Sequence, residues 1–379
     1  MNKKKSSNKK AIGYINIWKF KIRKSTFLII TAFLSSILLI VSTYAWFFAS
    51  LDVRISSLNM TVSDESGLFI SLDGINWSSS VSVSKDILFK DLNRRYPNHI
   101  SQWPSSMGMY PVSTNGIASR NDNTFNIFTS EVSYKNELAT RERVITTYLY
   151  DEPKASQNSN FVAFDIFLKN VTGSPYEDNV FLDEGTEVKL LSSGSKDSDG
   201  SINSIRVGFL KMNTISKRSS INAIQNITCN NNCVASIWEP HSKEHSKASI
   251  LKALKHNVRV VDGVYTPTYG VIAEGEMLEM ASGQEGSGIP LDTEHFALQN
   301  TITDLSNRVF GLSTGITKVR VYVYIEGQDI DNFDYASAGQ QIQVNFGFTK
   351  QRFTSDDVGV TEGELYNNLP TAVHPTASR

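Results

Sequence analysis

Apolar and polar residues alternate along LDVRISSLNMTV (51–62), which is the pattern of a half-buried β-strand. The apolar positions fall into two sets of opposite phase, Leu51, Val53 and Ile55 followed by Leu58, Met60 and Val62. Because successive side chains of a strand point to opposite faces, the change of phase at Ser56–Ser57 predicts a β-bulge or a bend there.

Three later segments carry stronger strand patterns. The segment NFVAFDIFLKN (160–170) is apolar on both faces, which predicts a central strand covered on both sides. KVRVYVYIEG (318–327) and QIQVNFGFTK (341–350) alternate, so each is expected to bury one face. Short strands separated by Gly, Ser and Asp turns predict an all-β fold, namely a jelly roll or β-sandwich.

The strand pattern is regular over residues 46–210 and 306–350 and loosens between them. We therefore assign the sandwich to these two ranges and treat residues 211–305 as an irregular, partly helical insertion or cap. Within that region SKEHSKASILKALKHN (242–257) predicts one helix, and TITDLSNRVFGL (301–312) predicts a short second one. Residues 351–379 are polar and rich in Pro, Thr and Ser near their end, which predicts a flexible tail.

The first 45 residues have the organisation of a secretory signal peptide. They are basic, continue into an apolar segment from Phe27 to Val41, and end with the small residues Thr43 and Ala45. This predicts cleavage between Ala45 and Trp46. The alternative is a retained signal anchor, because residues 27–48 are long enough to span a bilayer core. The positive-inside rule places the remaining chain outside the cytoplasm in both cases, so we expect an extracellular or cell-surface protein.

Charge argues against a nucleic-acid partner. The first 45 residues hold nine of the 37 Lys and Arg residues and none of the 38 Asp and Glu residues. The rest therefore carries 28 basic against 38 acidic residues, and such an acidic body repels a phosphate backbone.

The two cysteines lie four positions apart in CNNNC, at Cys229 and Cys233. An oxidising compartment favours a disulfide that closes this small loop. Free thiols and a metal or redox pair are the alternatives.

The segment HSKEH is the main enzymatic candidate. His241, Glu244 and His245 match the inverted zinc motif, in which two histidines bind the metal and the glutamate activates water. The motif needs a helix, which the pattern allows from just after Pro240, and a third ligand, which nothing in the polar, Lys-flanked sequence marks. We therefore favour a solvated helix start without catalytic function, with a zinc metalloprotease as the alternative.

The segment EGQDIDNFD places three carboxylates, Asp329, Asp331 and Asp334, in one turn between two strong strands. Ca²⁺ binds such closely spaced carboxylates and is the candidate ion, although the spacing differs from that of an EF-hand. Ordinary turn chemistry, in which Asp bonds its own backbone, is the favoured interpretation.

The junction STYAWF resembles the signal peptides that a specialised signal peptidase (SipW-type) removes from TasA and camelysin in Gram-positive bacteria. Segments such as FVAFDIFLKN, SIRVGFL, IWEPHSKEHS and VRVYVYIEGQDIDN also look like those of uncharacterised secreted proteins with this signal type. For TasA-like proteins the resemblance implies a jelly-roll subunit of biofilm-matrix fibres, whose mature N-terminal segment completes the sheet of the next subunit.

Carried over to this chain, the resemblance implies a structural protein without catalytic activity or a required cofactor. Its expected partners are further copies or related fibre subunits, with the signal peptidase during export. The donor segment would be Trp46 to about Ser56, with Leu51, Val53 and Ile55 in the groove of a neighbour. The alternatives are that this segment is the first strand of its own sandwich, or a linker from an anchor to a monomeric surface binding domain.

Overall fold

A computed structural model describes residues 14–17, 20–23, 26–37, 54–62, 67–104, 109–119, 123–135, 142–149, 160–171, 176–191, 200–230, 233–242, 244–246, 260–261, 264–265, 276–280, 301–327, 329, 331 and 341–351. The chain divides into two compact units, Met1–Leu51 and Asp52–Arg379, which are described separately.

The first unit contains a hairpin and a helix. Strands β1 (Tyr14–Ile17) and β2 (Phe20–Arg23) pair in antiparallel orientation, and helix α1 covers residues 26–37. The helix lies within the predicted apolar segment of the signal peptide, and its Leu28, Ile29 and Phe33 side chains are exposed. None of the described helices is long and apolar enough to cross a membrane.

The second unit is built from strands with short helices between them. Its strands are β3 (Arg54–Val62), β4 (Leu68–Ser71), β5 (Ser80–Val83), β6 (Ser101–Gln102), β7 (Ser113–Ser119), β8 (Thr124–Lys135), β9 (Glu142–Leu149), β10 (Val162–Asn170), β11 (Asp178–Leu182), β12 (Glu187–Leu190), β13 (Ile205–Ile215), β14 (Val234–Trp238), β15 (Val260–Val261), β16 (Val264–Tyr265), β17 (Glu276–Met280), β18 (Thr301–Ile302), β19 (Phe310–Leu312), β20 (Gly315–Ile325) and β21 (Gln341–Gln351). Its helices are α2 (Lys85–Lys90), α3 (Gly200–Asn203), α4 (Ile221–Gln225) and a 3-10 turn at Leu92–Arg94.

Two large sheets form a sandwich, which confirms the all-β prediction. The seven-stranded sheet has the order β18-β14-β13-β20-β10-β4, with β6 also paired to β10. The six-stranded sheet has the order β19-β11-β21-β3-β5, with β12 also paired to β21. Their facing side chains form the inner core, where Phe209 lies 5.4 Å from Phe346 and 5.3 Å from Phe348 between ring centroids.

A second apolar cluster, the outer core, covers the opposite face of the seven-stranded sheet. Strand β10 supplies Phe164 and Ile166 to the inner core and Ala163 and Phe167 to the outer core. The prediction that this strand is covered on both sides is therefore confirmed. Strands β20 and β21 direct their predicted apolar faces into the inner core, as the alternation indicates.

A four-stranded sheet of order β17-β9-β8-β7 adjoins the sandwich. Phe125 of β8 packs on Tyr322 of β20, with 4.8 Å between the ring centroids. Gly208 of β13 makes this approach possible, because a Cβ atom there would lie 2.6 Å from Cε2 of Phe125.

The predicted domain limits need correction. The boundary between residues 210 and 211 falls inside β13, and β14 and β18 are strands of the main sheet rather than parts of an insertion. The helix predicted at 301–312 is wrong, since this segment forms β18 and β19. Strands β14, β18 and β19 have five residues or fewer, which is too short to show a clear alternation. Residues 244–246 are not helical, and the rest of the helix predicted from 247 onwards lies outside the described residues, as does the tail from 352.

Candidate functional site

Strand β3 is the first described strand of its compact unit, yet it lies in the interior of the six-stranded sheet. It runs parallel to β21 over residues 54–62 and antiparallel to β5 over residues 58–61. Strand β5 is the edge of the sheet and has no other partner strand in the described part of the chain. The pairing of β5 with the sheet therefore depends on β3.

The phase change within β3 is a β-bulge. Ile55 pairs with Ile342 and Ser57 pairs with Gln343, so Ser56 is the additional residue. The bulge turns both apolar sets of the described strand to the same side, and the prediction of a bulge or bend at Ser56–Ser57 is confirmed. The side chains that β3 buries in the inner core are those of Ile55, Leu58, Met60 and Val62.

The opposite face of β3 carries hydrogen bonds between strands. The Nδ2 atom of Asn59 donates to Oδ1 of Asn345 at 3.0 Å, and Ser82 Oγ donates to Asn59 Oδ1 at 2.8 Å. Thr61 Oγ1 donates to Oδ2 of Asp183 at 3.0 Å. These bonds select one register of β3 between its two neighbours, because a shift by one residue would turn the polar side chains inward.

The structure describes one of the three predicted assembly residues. Ile55 pairs within its own chain and is 7% exposed, so its side chain belongs to the inner core, and its contact with another subunit stays a prediction. Leu51 and Val53 lie outside the described residues, as do Ala45 and Trp46 at the predicted cleavage site.

The two histidines of HSKEH have different surroundings. Residues 240–242 form a turn, and His245 lies in a segment without regular structure, so the helix that the zinc motif requires is not formed. His241 Nδ1 lies 3.1 Å from Oε2 of Glu244, and His241 Nε2 lies 3.2 Å from the carbonyl oxygen of Val188. No group of three or more metal-ligating side chains occurs within the described ranges. The structure thus does not bring His241 and His245 together as zinc ligands.

His245 instead meets the acidic turn after β20. Its Nδ1 atom donates to Oδ2 of Asp331 at 2.7 Å, and the backbone N–H of Ser246 donates to Oδ1 of Asp331 at 2.8 Å. The backbone N–H of Asp331 donates to Oδ1 of Asp329 at 2.8 Å, and Arg206 Nη2 donates to Oδ2 of Asp329. Two segments that the sequence offered as separate metal sites therefore form one buried network.

The network continues to Glu239, whose Oε1 accepts from Arg206 Nη2 at 2.9 Å. Burial raises the pKa of Asp329 to about 7; Asp331 and Glu239 add to the rise, and Arg206 opposes it. The carboxylates of Asp329 and Asp331, for which calcium was the less favoured alternative, thus accept hydrogen bonds from internal donors, including the backbone N–H of Asp331. Asp334 lies outside the described residues. These hydrogen bonds join β13 to the ends of β14 and β20, so we assign the network a structural role.

A second buried charge cluster lies on the outer face of β10 and β20. Arg320 donates from Nε to Oδ1 of Asp165 at 2.7 Å, and the Lys318 ammonium lies 3.1 Å from Oδ2. Burial raises the pKa of Asp165, but Arg320 and Lys318 outweigh it and hold the pKa well below its usual range. Burial lowers the pKa of Lys318, and Asp165 opposes that change. The alternation in KVRVYVYIEG predicts a buried face without Lys318 and Arg320, and Asp165 lies in a segment predicted to be apolar on both faces, so the sequence did not mark this cluster.

The structure pairs Cys229 and Cys233 in a disulfide with a Cα–Cα distance of 4.9 Å. Cys229 is fully buried in the outer core, and its backbone N–H donates to Oδ1 of Asn123 at 2.7 Å. The disulfide closes the loop after α4, and the hydrogen bond from Cys229 joins that loop to the turn before β8.

No protein-family model, curated protein or solved structure matches this chain.

Proposed function

We propose that this protein is a secreted structural subunit of an extracellular fibre or matrix, assembled by strand exchange. In this assembly, β3 of one copy occupies the position between β21 and β5 of the next copy. The N-terminal strand is therefore the functional element, and the charge clusters serve to hold the sandwich together.

The observation that carries the proposal is the position of β3, which is terminal in its unit but internal in its sheet. Removal of β3 would leave β21 and β5 with unpaired backbone groups facing each other. It would also uncover the inner core where four apolar side chains of β3 are buried, each worth about 1.5–3 kcal/mol. This gap between β21 and β5, called the β3 slot below, favours the addition of a strand from another molecule.

The covalent connections of β3 are compatible with exchange. Its parallel partner β21 is remote in sequence, and only residues 63–67 join β3 to β4. A strand from a second copy would make the same contacts in the slot, as in domain swapping. Cleavage before Trp46 would free the N-terminal side of β3, which supports a link between export and assembly.

The resemblance of the signal junction to those of TasA and camelysin supports the same function. Because the side chains of β3 are buried, we now assign the donor strand to residues 54–62. The preceding residues 46–53 would extend its contact with the neighbouring copy. If β3 instead stays in its own sheet, the protein would be a monomeric surface binding domain, which is the alternative function.

The proposal is tested by electron microscopy and sedimentation of purified residues 46–379 beside a chain that begins at Gly67 and lacks β3. Fibres are expected from the first chain alone. A synthetic peptide of residues 54–62 should bind the second chain and cap it as a monomer.

The matched variants are Leu58→Asp and Thr61→Ala, since Leu58 is fully buried and Thr61 is exposed on the same strand. We expect Leu58→Asp to abolish peptide binding and Thr61→Ala to retain it. Monomers at all concentrations of residues 46–379, or fibres from the chain without β3, would contradict strand exchange.

A further inference from the structure

Three reactive side chains meet between the two large sheets. Lys350 near the end of β21 places Nζ 2.7 Å from Oδ1 of Asn170, the last residue of β10. The same Nζ lies 3.0 Å from Oδ2 of Asp178, the first residue of β11. Asn170 Nδ2 donates to this carboxylate oxygen at 2.9 Å and to the carbonyl oxygen of Leu312 at 3.2 Å.

The site excludes bulk water. The Lys350 side chain is 2% exposed, and Asn170 and Asp178 are fully buried. Oδ2 of Asp178 lies 3.0 Å from Nζ of Lys350, so it is placed to take a proton from the ammonium directly. A neutral lysine amine is a nucleophile, and here it is held against the carboxamide that it would attack.

Within the described part of the chain, the other buried lysines, Lys211 and Lys318, lack one part of this arrangement. Lys318 faces the carboxylate of Asp165, which also accepts hydrogen bonds from Arg320, and a carboxylate is a poor electrophile. Lys211 bonds to Glu177, whose side chain is 42% exposed. At Lys350 an amine, a carboxamide and a proton-accepting carboxylate are all in contact.

We propose that Lys350 and Asn170 become joined by an intramolecular isopeptide bond once the chain has folded, with Asp178 as the proton relay. Asp178 takes one proton from the Lys350 ammonium, and the freed Nζ attacks Cγ of Asn170. The tetrahedral adduct loses its second Nζ proton to Asp178, while Nδ2 receives a proton from the same carboxyl group.

Collapse of the adduct restores the carbonyl group and breaks the bond between Cγ and Nδ2. Ammonia leaves as ammonium after taking the remaining proton from Asp178, which returns to its carboxylate form. An ammonium and a primary amide are thus converted to a secondary amide and an ammonium ion. No atom is oxidised or reduced, and no co-reactant is needed.

The bond would connect the two sheets covalently. Asn170 belongs to the seven-stranded sheet and Lys350 to the six-stranded sheet, 180 residues apart in sequence. Since β21 also pairs with β3, the cross-link would hold one wall of the β3 slot in place while that strand is exchanged. The inference goes beyond the proposed function, because the bond would form in a monomer as well as in a fibre.

Intact mass spectrometry of the purified mature chain, denatured and reduced, tests the proposal. We expect a mass about 17 Da below that of the sequence, equal to the loss of one ammonia. Digestion should yield a branched peptide that joins the segment containing Asn170 to the segment containing Lys350. A folded wild-type chain with its full sequence mass would overturn the proposal without any variant.

Three variants separate the bond from other sources of the same mass loss. Lys350→Arg and Asp178→Ala should each show their full sequence mass, while Lys211→Arg should keep the deficit. A succinimide at Asn170 would give the same loss, but its peptide would be linear and the loss would persist in Lys350→Arg. Either of these two observations would overturn the isopeptide bond, and a deficit that persists in Asp178→Ala would overturn the relay.

Discussion

His245 and Asp331 lie 86 residues apart in sequence, and their Nδ1 and Oδ2 atoms are 2.7 Å apart in a pair that is 1% or less exposed. One residue comes from the candidate zinc motif and the other from the candidate calcium turn. The hydrogen bond gives each of these buried polar side chains a partner. It therefore accounts for both segments without a bound metal ion.

His245→Ala should destabilise the fold by about 2–4 kcal/mol, because it removes the hydrogen bond that His245 donates to the buried carboxylate of Asp331. The free energy of unfolding in urea measures this loss. His241→Ala is the control, since its partner Glu244 is 73% exposed, and we expect less than about 1 kcal/mol there. Equal losses at both positions, together with bound zinc in the wild type, would restore the metal interpretation.

The contribution of Asp329 to the free energy of unfolding should decrease as the pH rises from about 4 to about 7. Burial raises the pKa of Asp329 to about 7, above the usual value near 3.9, so the folded state binds the proton more tightly across that interval. This contribution is fully present below the pKa of Asp329 in the unfolded state. It is lost as the pH rises through the pKa of Asp329 in the folded state.

The test compares urea unfolding of the wild type and Asp329→Asn at pH 5 and pH 8. The variant cannot titrate at this position and should show a smaller decrease between the two values. If the variant lost as much stability between pH 5 and pH 8 as the wild type, the pH dependence would belong to another group.

Deletion of Ser56 should leave the core packing of β3 intact. The bulge pairs Ile55 with Ile342 and Ser57 with Gln343, so removal of the extra residue produces a regular strand with Ile55 still inward. We expect a change in the free energy of unfolding below about 1 kcal/mol. Deletion of Asn59 is the contrast, because it turns Leu58 outward and should cost at least about 3 kcal/mol. A large loss on deletion of Ser56 would show that the bulge itself stabilises the strand.

Gly208→Ala should destabilise the protein by about 1–3 kcal/mol through overpacking against Phe125. In a Phe125→Leu background the added Cβ meets a smaller side chain, so the penalty should shrink. A double-mutant cycle of thermal or urea unfolding measures this coupling. Additive effects would mean that the contact between β8 and β13 is not what requires glycine.

The sequence was most informative where a strand is long and its pattern is regular. Strands β10, β20 and β21 and the bulge at Ser56 follow from alternation, because the burial of one or both faces leaves a direct trace in the residue order.

The sequence was least informative about contacts between distant segments. Asp165 and Arg320 are 155 residues apart, and their pairing depends on the register of β10 against β20. The alternation of β20 predicts one buried face, which excludes Arg320, because the alternation does not reveal the outer core that covers the other face. The short strand β14 was missed for a related reason, since five residues gain their strand conformation from the sheet they join.

The position of β21 has a consequence for the time course of folding. Asn59 of β3 and its partner Asn345 are 286 residues apart, and the three strands β3, β11 and β12 all pair with β21. As the chain is synthesised from its N-terminus, the six-stranded sheet cannot close until nearly the whole second unit has emerged. Such non-local pairing makes folding slow. Strand β3 has β5 as a nearby partner, but its edge toward β21 stays open until β21 has emerged, and an open strand edge favours pairing with another chain.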